Sequence, residues 1–181
     1  AITYHSNFGS HEPRKSEDVW VNSKVKVDSY AATGLPSRTG YEFIGWNTVP
    51  DGSGTADAAG DTVRLTAGGN NLYAQWKANN DTAYKVEFYC EQTDGAYTLA
   101  KTEPRAGTTD ATVSVTDTDK GYGTPTYVYD EGNTNNLESG TVAADGSLTL
   151  KLYFKRNTAE YTIHHYLKGT EVQVAPDQTG T

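Results

Sequence analysis

With 23 Asp and Glu among 181 residues, acids are the first place to look for chemistry. Two carboxylates flanking a glycosidic oxygen, one protonated and one ionised, could hydrolyse a sugar chain. The stretch GYEFIGWN, residues 40 to 47, and the loop TVPDGSGTAD after it suggest a setting for such a pair. Tyr41 and Trp46 could stack on a sugar ring, and Asp51 or Asp57 could serve as the acid. Yet the acids lie in loops among Thr, Ser and Gly, with no apolar pocket to raise a pKa. His164 and His165 are neighbours in an alternating segment, so they point to opposite faces and cannot chelate one metal together. His5 and His11 lack a Cys or His partner at a zinc spacing. Asp117 and Asp119 in VTDTDKGYG suggest a calcium loop, but the glutamate that closes such a loop is missing. Cys90 is followed by Glu91 and Gln92, close neighbours on a strand that cannot easily reach it to form a thioester. Tyr84, Val86, Phe88 and Cys90 share one strand face, which makes the thiol a small buried hydrophobe. Lys85 and Lys151 fall on the opposite face from the apolar series, away from any buried isopeptide partner. The expectation is a chain with no catalytic set, no metal site and no cofactor.

The elements that carry these residues are strands. Only 35% of the residues are hydrophobic, with no Met, 18 Gly, 13 Tyr and 3 Trp. Large aromatics and β-branched residues between Gly and Asn turns suit pleated, half-buried strands. Period-two alternation marks Val19–Val21 and Val25–Val27, then TVRLTA and NLYAQW, with Gly68 to Asn71 as a turn or hairpin between the last two. Further along come YKVEFY, YTLAKTE, ATVSVT, PTYVYD and SLTLKLYF. In the last, Leu148, Leu150, Leu152 and Phe154 face one way and Thr149, Lys151 and Tyr153 the other. No segment holds helical periodicity over three turns, which leaves at most one short helix per unit, near Ser29–Gly34 in the first.

The chain also repeats. DTAYKVEFYCEQTDGAYTLAKTEPRAGTT begins near residue 81 and NTAEYTIHHYLKGTEVQVAPDQTGT begins at residue 157, a period of about 77 residues. The expected domains are 1–78, a unit of different sequence; 79–157; and 158–181, the start of a further repeat. The second copy stops in mid-pattern at Thr181, so the chain reads as a piece of a longer array forming an elongated rod. Its net charge is −8, with no Lys/Arg cluster, which argues against nucleic acid and against an anionic membrane surface. No apolar run approaches the roughly 20 residues of a membrane span, and no signal peptide opens the chain.

Two family resemblances rest on specific words. The set Gly40-Tyr41, Phe43, Gly45-Trp46-Asn47, Gly60-Asp61 and Leu72-Tyr73-Ala74-Gln75-Trp76, after an opening ITYHSN, resembles the Listeria–Bacteroides type B repeat of bacterial surface proteins, internalins among them. The opening SNFGSHEPRKSEDVW departs from the glycine pair common in that family, which implies a remodelled first turn. The second unit, through YKVEFY, DGAYTL, NTNNLESGTVAADGSLTLKLYFKRNT and the restart YTIHHYLKGTEVQVA, resembles the MucBP-type repeats of Gram-positive wall-anchored proteins.

These resemblances imply a mostly β or α+β fold built of two tandem β-grasp-like modules plus the start of a third. They imply an extracellular, cell-wall-anchored location on a Gram-positive bacterium, and a non-enzymatic stalk or adhesion role. Within that frame Tyr41, Phe43 and Trp46 are core rather than sugar platform, because a unit this small takes much of its buried area from a few aromatics. Pro50-Asp51-Gly52 is a plain surface turn. Two roles compete: a spacer holding a distal adhesive domain away from the wall, or modules that bind a host glycoprotein or glycan themselves. The tyrosine surplus motivates the second role, with Tyr122, Tyr127 and Tyr129 in YGTPTYVYD as the candidate ligand patch. Neighbouring repeats of the same chain are the other expected partners. The strand expected at 161–168 has edge groups that seek a sheet edge, on the preceding unit or on a neighbouring molecule.

Overall fold

A computed structural model describes residues 1–181, and strands supply almost all of their regular structure. The first seven strands are β1 (Thr3–His5), β2 (Arg14–Lys15), β3 (Lys24–Lys26), β4 (Tyr41–Asn47), β5 (Ala56–Asp57), β6 (Thr62–Arg64) and β7 (Asn71–Ala78). A single 3-10 turn, Ala31–Thr33, is the only helical piece among them, ended by Gly34 in the left-handed region. Five strands form one sheet in the order β2-β1-β7-β4-β5, while β3 pairs with β6. β1 runs parallel to β7, with Tyr4 opposite Leu72, and β4 runs antiparallel to β7.

One expectation fails here for a local reason, and of another only the turn alternative holds. Val19–Val21 is not a strand: Val19, Trp20 and Val21 are all exposed, so no covered face supports the alternation. The chain turns instead, with the Ser23 N–H donating to the Trp20 carbonyl and Asn22 at φ 68°. Gly68 to Asn71 lies where the chain turns but closes no hairpin, because β6 and β7 belong to different sheets. Asn70 organises that loop, accepting from the Thr66 N–H at 2.9 Å and donating back to the Thr66 carbonyl at 3.2 Å.

The next strands are β8 (Thr82–Glu91), β9 (Tyr97–Gly107), β10 (Thr112–Ser114), β11 (Tyr127–Tyr129), β12 (Ser139–Thr141) and β13 (Thr149–Arg156), with a one-turn helix α1 (Asp117–Lys120) after β10. Their main sheet has the order β11-β13-β8-β9, and β10 pairs with β12. β13 is parallel to β8, with Leu150 opposite Val86, Leu152 opposite Phe88 and Phe154 opposite Cys90. All six of these side chains are buried, as the alternation of the two segments requires.

The two stretches share one plan although their sequences differ. In each, the opening strand pairs with the strand that follows it and, in parallel, with the closing strand; an antiparallel strand flanks the closing strand; and a two-stranded ribbon stands apart. A third hairpin, β14 (Tyr161–Tyr166) with β15 (Gln173–Gly180), is antiparallel and forms a two-stranded sheet of its own. Its strand begins where expected but ends at Tyr166, where a turn with Gly169 at φ +79° reverses the chain. The fold is mostly β, and no helix is long and apolar enough to cross a membrane.

By compactness the chain divides into a first unit of 1–84, 105–113 and 141–148, and a second of 85–104, 114–140 and 149–181. Within the first unit, the Thr109 hydroxyl donates to the Gly40 carbonyl at 2.8 Å and shares a hydrogen bond with Thr82 at 2.7 Å. The Thr109 N–H donates to the Asn79 carbonyl, and the Asn79 N–H donates to Gly40. Thr109 is buried, so Thr109→Val should cost about 1–2 kcal/mol by stranding its partners. Thr109→Ser should cost clearly less. Urea unfolding of both variants tests this; a loss in Thr109→Ser as large as that in Thr109→Val would mean that the methyl matters as much as the hydroxyl.

Candidate functional site

The three tyrosines proposed as a ligand patch are all half-buried, and each has a different setting. The Tyr122 ring lies 4.8 Å from Phe88 and 5.6 Å from Phe154, extending the apolar side of the second main sheet. Tyr127 leans over Gly123, where an added Cβ would meet its ring at 3.1 Å. Tyr129 sits 5.8 Å from Phe154, and its hydroxyl donates to the Glu138 carboxylate. Lys120 pairs with the same carboxylate at 3.0 Å and stands 5.0 Å from the Tyr129 ring. Burial, then the neighbouring carboxylate of Glu138, pushes the Tyr129 hydroxyl far above the usual tyrosine range. Tyr129 and Tyr122 are thus engaged by their own unit, and Tyr127 is left as the most available ring of the three.

A second tyrosine group emerges on the other face of that sheet, one that the sequence alone did not bring together. Tyr89 and Tyr153 oppose each other across β8 and β13 and stack at 4.7 Å with 7° between planes. Tyr97 meets Tyr153 edge-on at 5.4 Å, and its hydroxyl donates to Asp130 at 2.9 Å. The Tyr89 hydroxyl donates to Glu87 at 2.7 Å, and Lys85 pairs with Glu87 at 3.0 Å. This is how aromatic cross-strand pairs stabilise a sheet. It also gathers three tyrosines in one cluster, the hydroxyls of Tyr89 and Tyr97 held by carboxylates. The Glu87 contact pushes the Tyr89 pKa up to about 12, while that hydroxyl and Lys85 hold Glu87 below its ordinary value.

Linkage gives the sign. A raised tyrosine contributes its stability in full below about pH 10 and loses it as pH climbs towards 12. A lowered carboxylate contributes above its usual pKa and loses that as acid protonates it. In an alkaline titration followed by tyrosinate absorbance, Tyr89→Phe should remove one group ionising near pH 12. Loss of a group titrating near 10 instead would show that the Glu87 contact does not persist in solution.

The remaining candidates have structural employment. Trp46 is 1% exposed in the core with Ile2, Tyr4, Leu65 and Leu72, and Phe43 packs against that cluster. Tyr41, expected in the core, is half-buried: its hydroxyl meets Asp110 and the Arg38 guanidinium lies 3.8 Å over its ring. Asp51 accepts the Ser53 N–H at 2.9 Å within its turn, and hydrogen bonds from Ser53 lower its pKa. Asp57 is raised, by burial first and by Asp61 second. Asp119 is buried as half of a capping box: it accepts the Thr116 N–H at 2.7 Å, and the Thr116 hydroxyl accepts the Asp119 N–H at 3.2 Å. That role explains the acid spacing that resembled a calcium loop. His5 stacks on Tyr73 at 4.4 Å, His11 meets Ser6 at 3.0 Å, and His164 meets Asp177 at 2.9 Å. No three His, Cys, Asp or Glu converge as a metal site would need. Cys90 is buried beside Phe154 in the strand register, and burial raises its thiol pKa.

The structure defines a class: mostly β, one strand plan used twice, with most of the aromatics of those two stretches in cores and cross-strand stacks. Residues 1–75 match the family model of the Listeria-Bacteroides repeat domain. Among curated proteins, the chain is similar to a provisionally named membrane protein of Evansella cellulosilytica, 41% identical over 80 residues, 44% of this chain and 12% of that protein. It is also similar to a provisionally named Gly-rich membrane protein of the same organism, 33% identical over 104 residues, 57% of this chain and 11% of the relative. The aligned stretches thus span about a tenth of either relative's length. Residues 1–75 are thus similar to a Listeria-Bacteroides repeat, and both relatives carry names that place them in a membrane.

Proposed function

We propose that this chain is a non-catalytic spacer in a bacterial surface protein, a stalk that holds an adhesive domain out from a Gram-positive cell wall. The observation that supports it best is recurrence: one strand plan occurs twice, and its opening hairpin occurs a third time. Its parallel first and last strands also suit the β-grasp-like reading of each module, the second being of MucBP type. The test replaces residues 82–156 of the parent surface protein with an unrelated rigid module of equal length. Preserved adhesion supports the spacer; adhesion lost despite normal surface display overturns it.

A second reading, in which the modules bind a host glycan or glycoprotein, draws on the Tyr89–Tyr153–Tyr97 surface and on the availability of Tyr127. A mucin and glycan array compares the chain with a Tyr127→Ala/Tyr129→Ala variant and with Tyr153→Ala. Saturable binding lost in one variant locates the ligand face; binding unchanged in both removes these tyrosines from recognition.

A further inference from the structure

The hairpin β14–β15 leaves apolar side chains in solvent: Tyr161, Ile163, Tyr166, Leu167, Val172 and Val174 are each between 44% and 61% exposed. Its counterpart opening the second repeat differs. Tyr84-Lys85-Val86-Glu87-Phe88-Tyr89-Cys90 aligns with Tyr161-Thr162-Ile163-His164-His165-Tyr166-Leu167, with Tyr at the first and sixth positions of both and Val or Ile at the third. In β8, the residues at the first, third, fifth and seventh of these positions are buried, and its edge is filled by β13 in parallel. β1 likewise holds β7 in parallel at the same edge. β14 pairs with β15 and with nothing else.

We infer that the free edge of Tyr161–Tyr166 is a docking site for one extended strand of the closing type, laid parallel to it. The inference stands apart from the spacer role, since it rests only on what the other two opening strands hold. The occupant is defined by chemistry: apolar residues at alternate positions, spaced as Leu150, Leu152 and Phe154 are. The register of β13 on β8 places those three residues opposite Ile163, His165 and Leu167. The two edges of the hairpin are not equivalent. β15 carries Pro176, which has no N–H to donate, and its pairing with β14 is interrupted by two register shifts. The extra residues in both shifts fall on β15, so β14 stays regular and presents an unguarded row of donors and acceptors. Backbone bonds would give the added strand its affinity, and the alternating side chains its specificity.

The probe is a synthetic peptide with the sequence of residues 147–157, SLTLKLYFKRN, titrated into the isotope-labelled 181-residue chain. Saturable amide shifts are expected to be confined to residues 161–180. A spin label on the peptide's N-terminus should broaden Tyr161 to Ile163, and a C-terminal label Tyr166 to Lys168. Ile163→Asp should weaken binding at least ten-fold and Ile163→Leu should retain it. A peptide with Leu150, Leu152 and Phe154 all changed to Ser should not bind, and this control leaves the protein's fold untouched. Equal binding of the Ser peptide, broadening in the antiparallel sense, or no saturable shift each overturns the proposal. So does sedimentation showing that this edge already joins two copies of the chain, since a second copy would then be the occupant.

Discussion

Trp46→Ala should destabilise the first unit by about 3–5 kcal/mol, the range for truncating a large buried aromatic. The indole is 1% exposed, with ring centroids of Tyr4 at 4.8 Å, Phe43 at 5.1 Å and Tyr30 at 5.7 Å. Its Nε1–H donates to the Asp28 carbonyl at 2.9 Å, and the Asp28 N–H donates to the Tyr4 hydroxyl at 2.8 Å. Alanine therefore opens a cavity at the meeting point of three rings and removes the donor that holds Asp28. Small domains are stable by only about 5–15 kcal/mol, so a loss of this size threatens the fold itself. Trp46→Phe should recover part of the loss, by filling most of the space without replacing the donor. Trp20→Ala is the control: Trp20 is 88% exposed, and a change there should stay within about 0.5 kcal/mol. Urea unfolding followed by near-ultraviolet circular dichroism reads all three. A Trp46→Ala loss below about 1 kcal/mol would mean that the indole is not the centre of this core.

That contrast between two tryptophans shows what was legible in the sequence. Strands with a covered face announced themselves: Tyr84, Val86, Phe88 and Cys90 in β8 and Leu150, Leu152 and Phe154 in β13 stand at alternate positions, and all are buried. Trp46 could be placed in the core because Gly, Phe and Tyr spaced around it match a repeat pattern. Val19–Trp20–Val21 carried the same local signal and is exposed, since alternation says which residues share a face but not whether anything covers it. The common plan of the two repeats was not legible, because it resides in pairings between strands 64 to 68 residues apart, Tyr4 with Leu72 and Val86 with Leu150. The Tyr89–Tyr153–Tyr97 stack was hidden for the same reason: a tyrosine's neighbour across a sheet depends on register. Asp119 shows the converse case. Its spacing from Asp117 suggested a cation loop that lacks its closing glutamate, whereas Thr116 three residues before it carried the positive clue, because that pair writes a capping box.

Gly40→Ala should be the second severe change, at about 2–5 kcal/mol, from two causes that can be separated. Gly40 has φ +79°, in the left-handed region, where a Cβ costs about 1–2 kcal/mol on backbone grounds alone. A Cβ built there would also lie 2.9 Å from the Ala144 Cβ and the Thr109 Oγ1, and 3.1 Å from the Ala144 Cα. Neither neighbour is the loose end of a long side chain. Thr109 is fixed by its bond to the Gly40 carbonyl, and Ala144 offers backbone, so relief requires main-chain movement at overpacking costs of about 1–3 kcal/mol. Gly34 isolates the first cause: its φ is +67°, yet nothing lies within 4 Å of its missing Cβ. Gly34→Ala should therefore show the backbone cost alone, and the difference between the two variants measures the close approach of residues 109 and 144 to residue 40. Equal losses would mean that these segments do not pack on Gly40 in solution, and the glycine that opens the aromatic stretch would then be needed only for its turn.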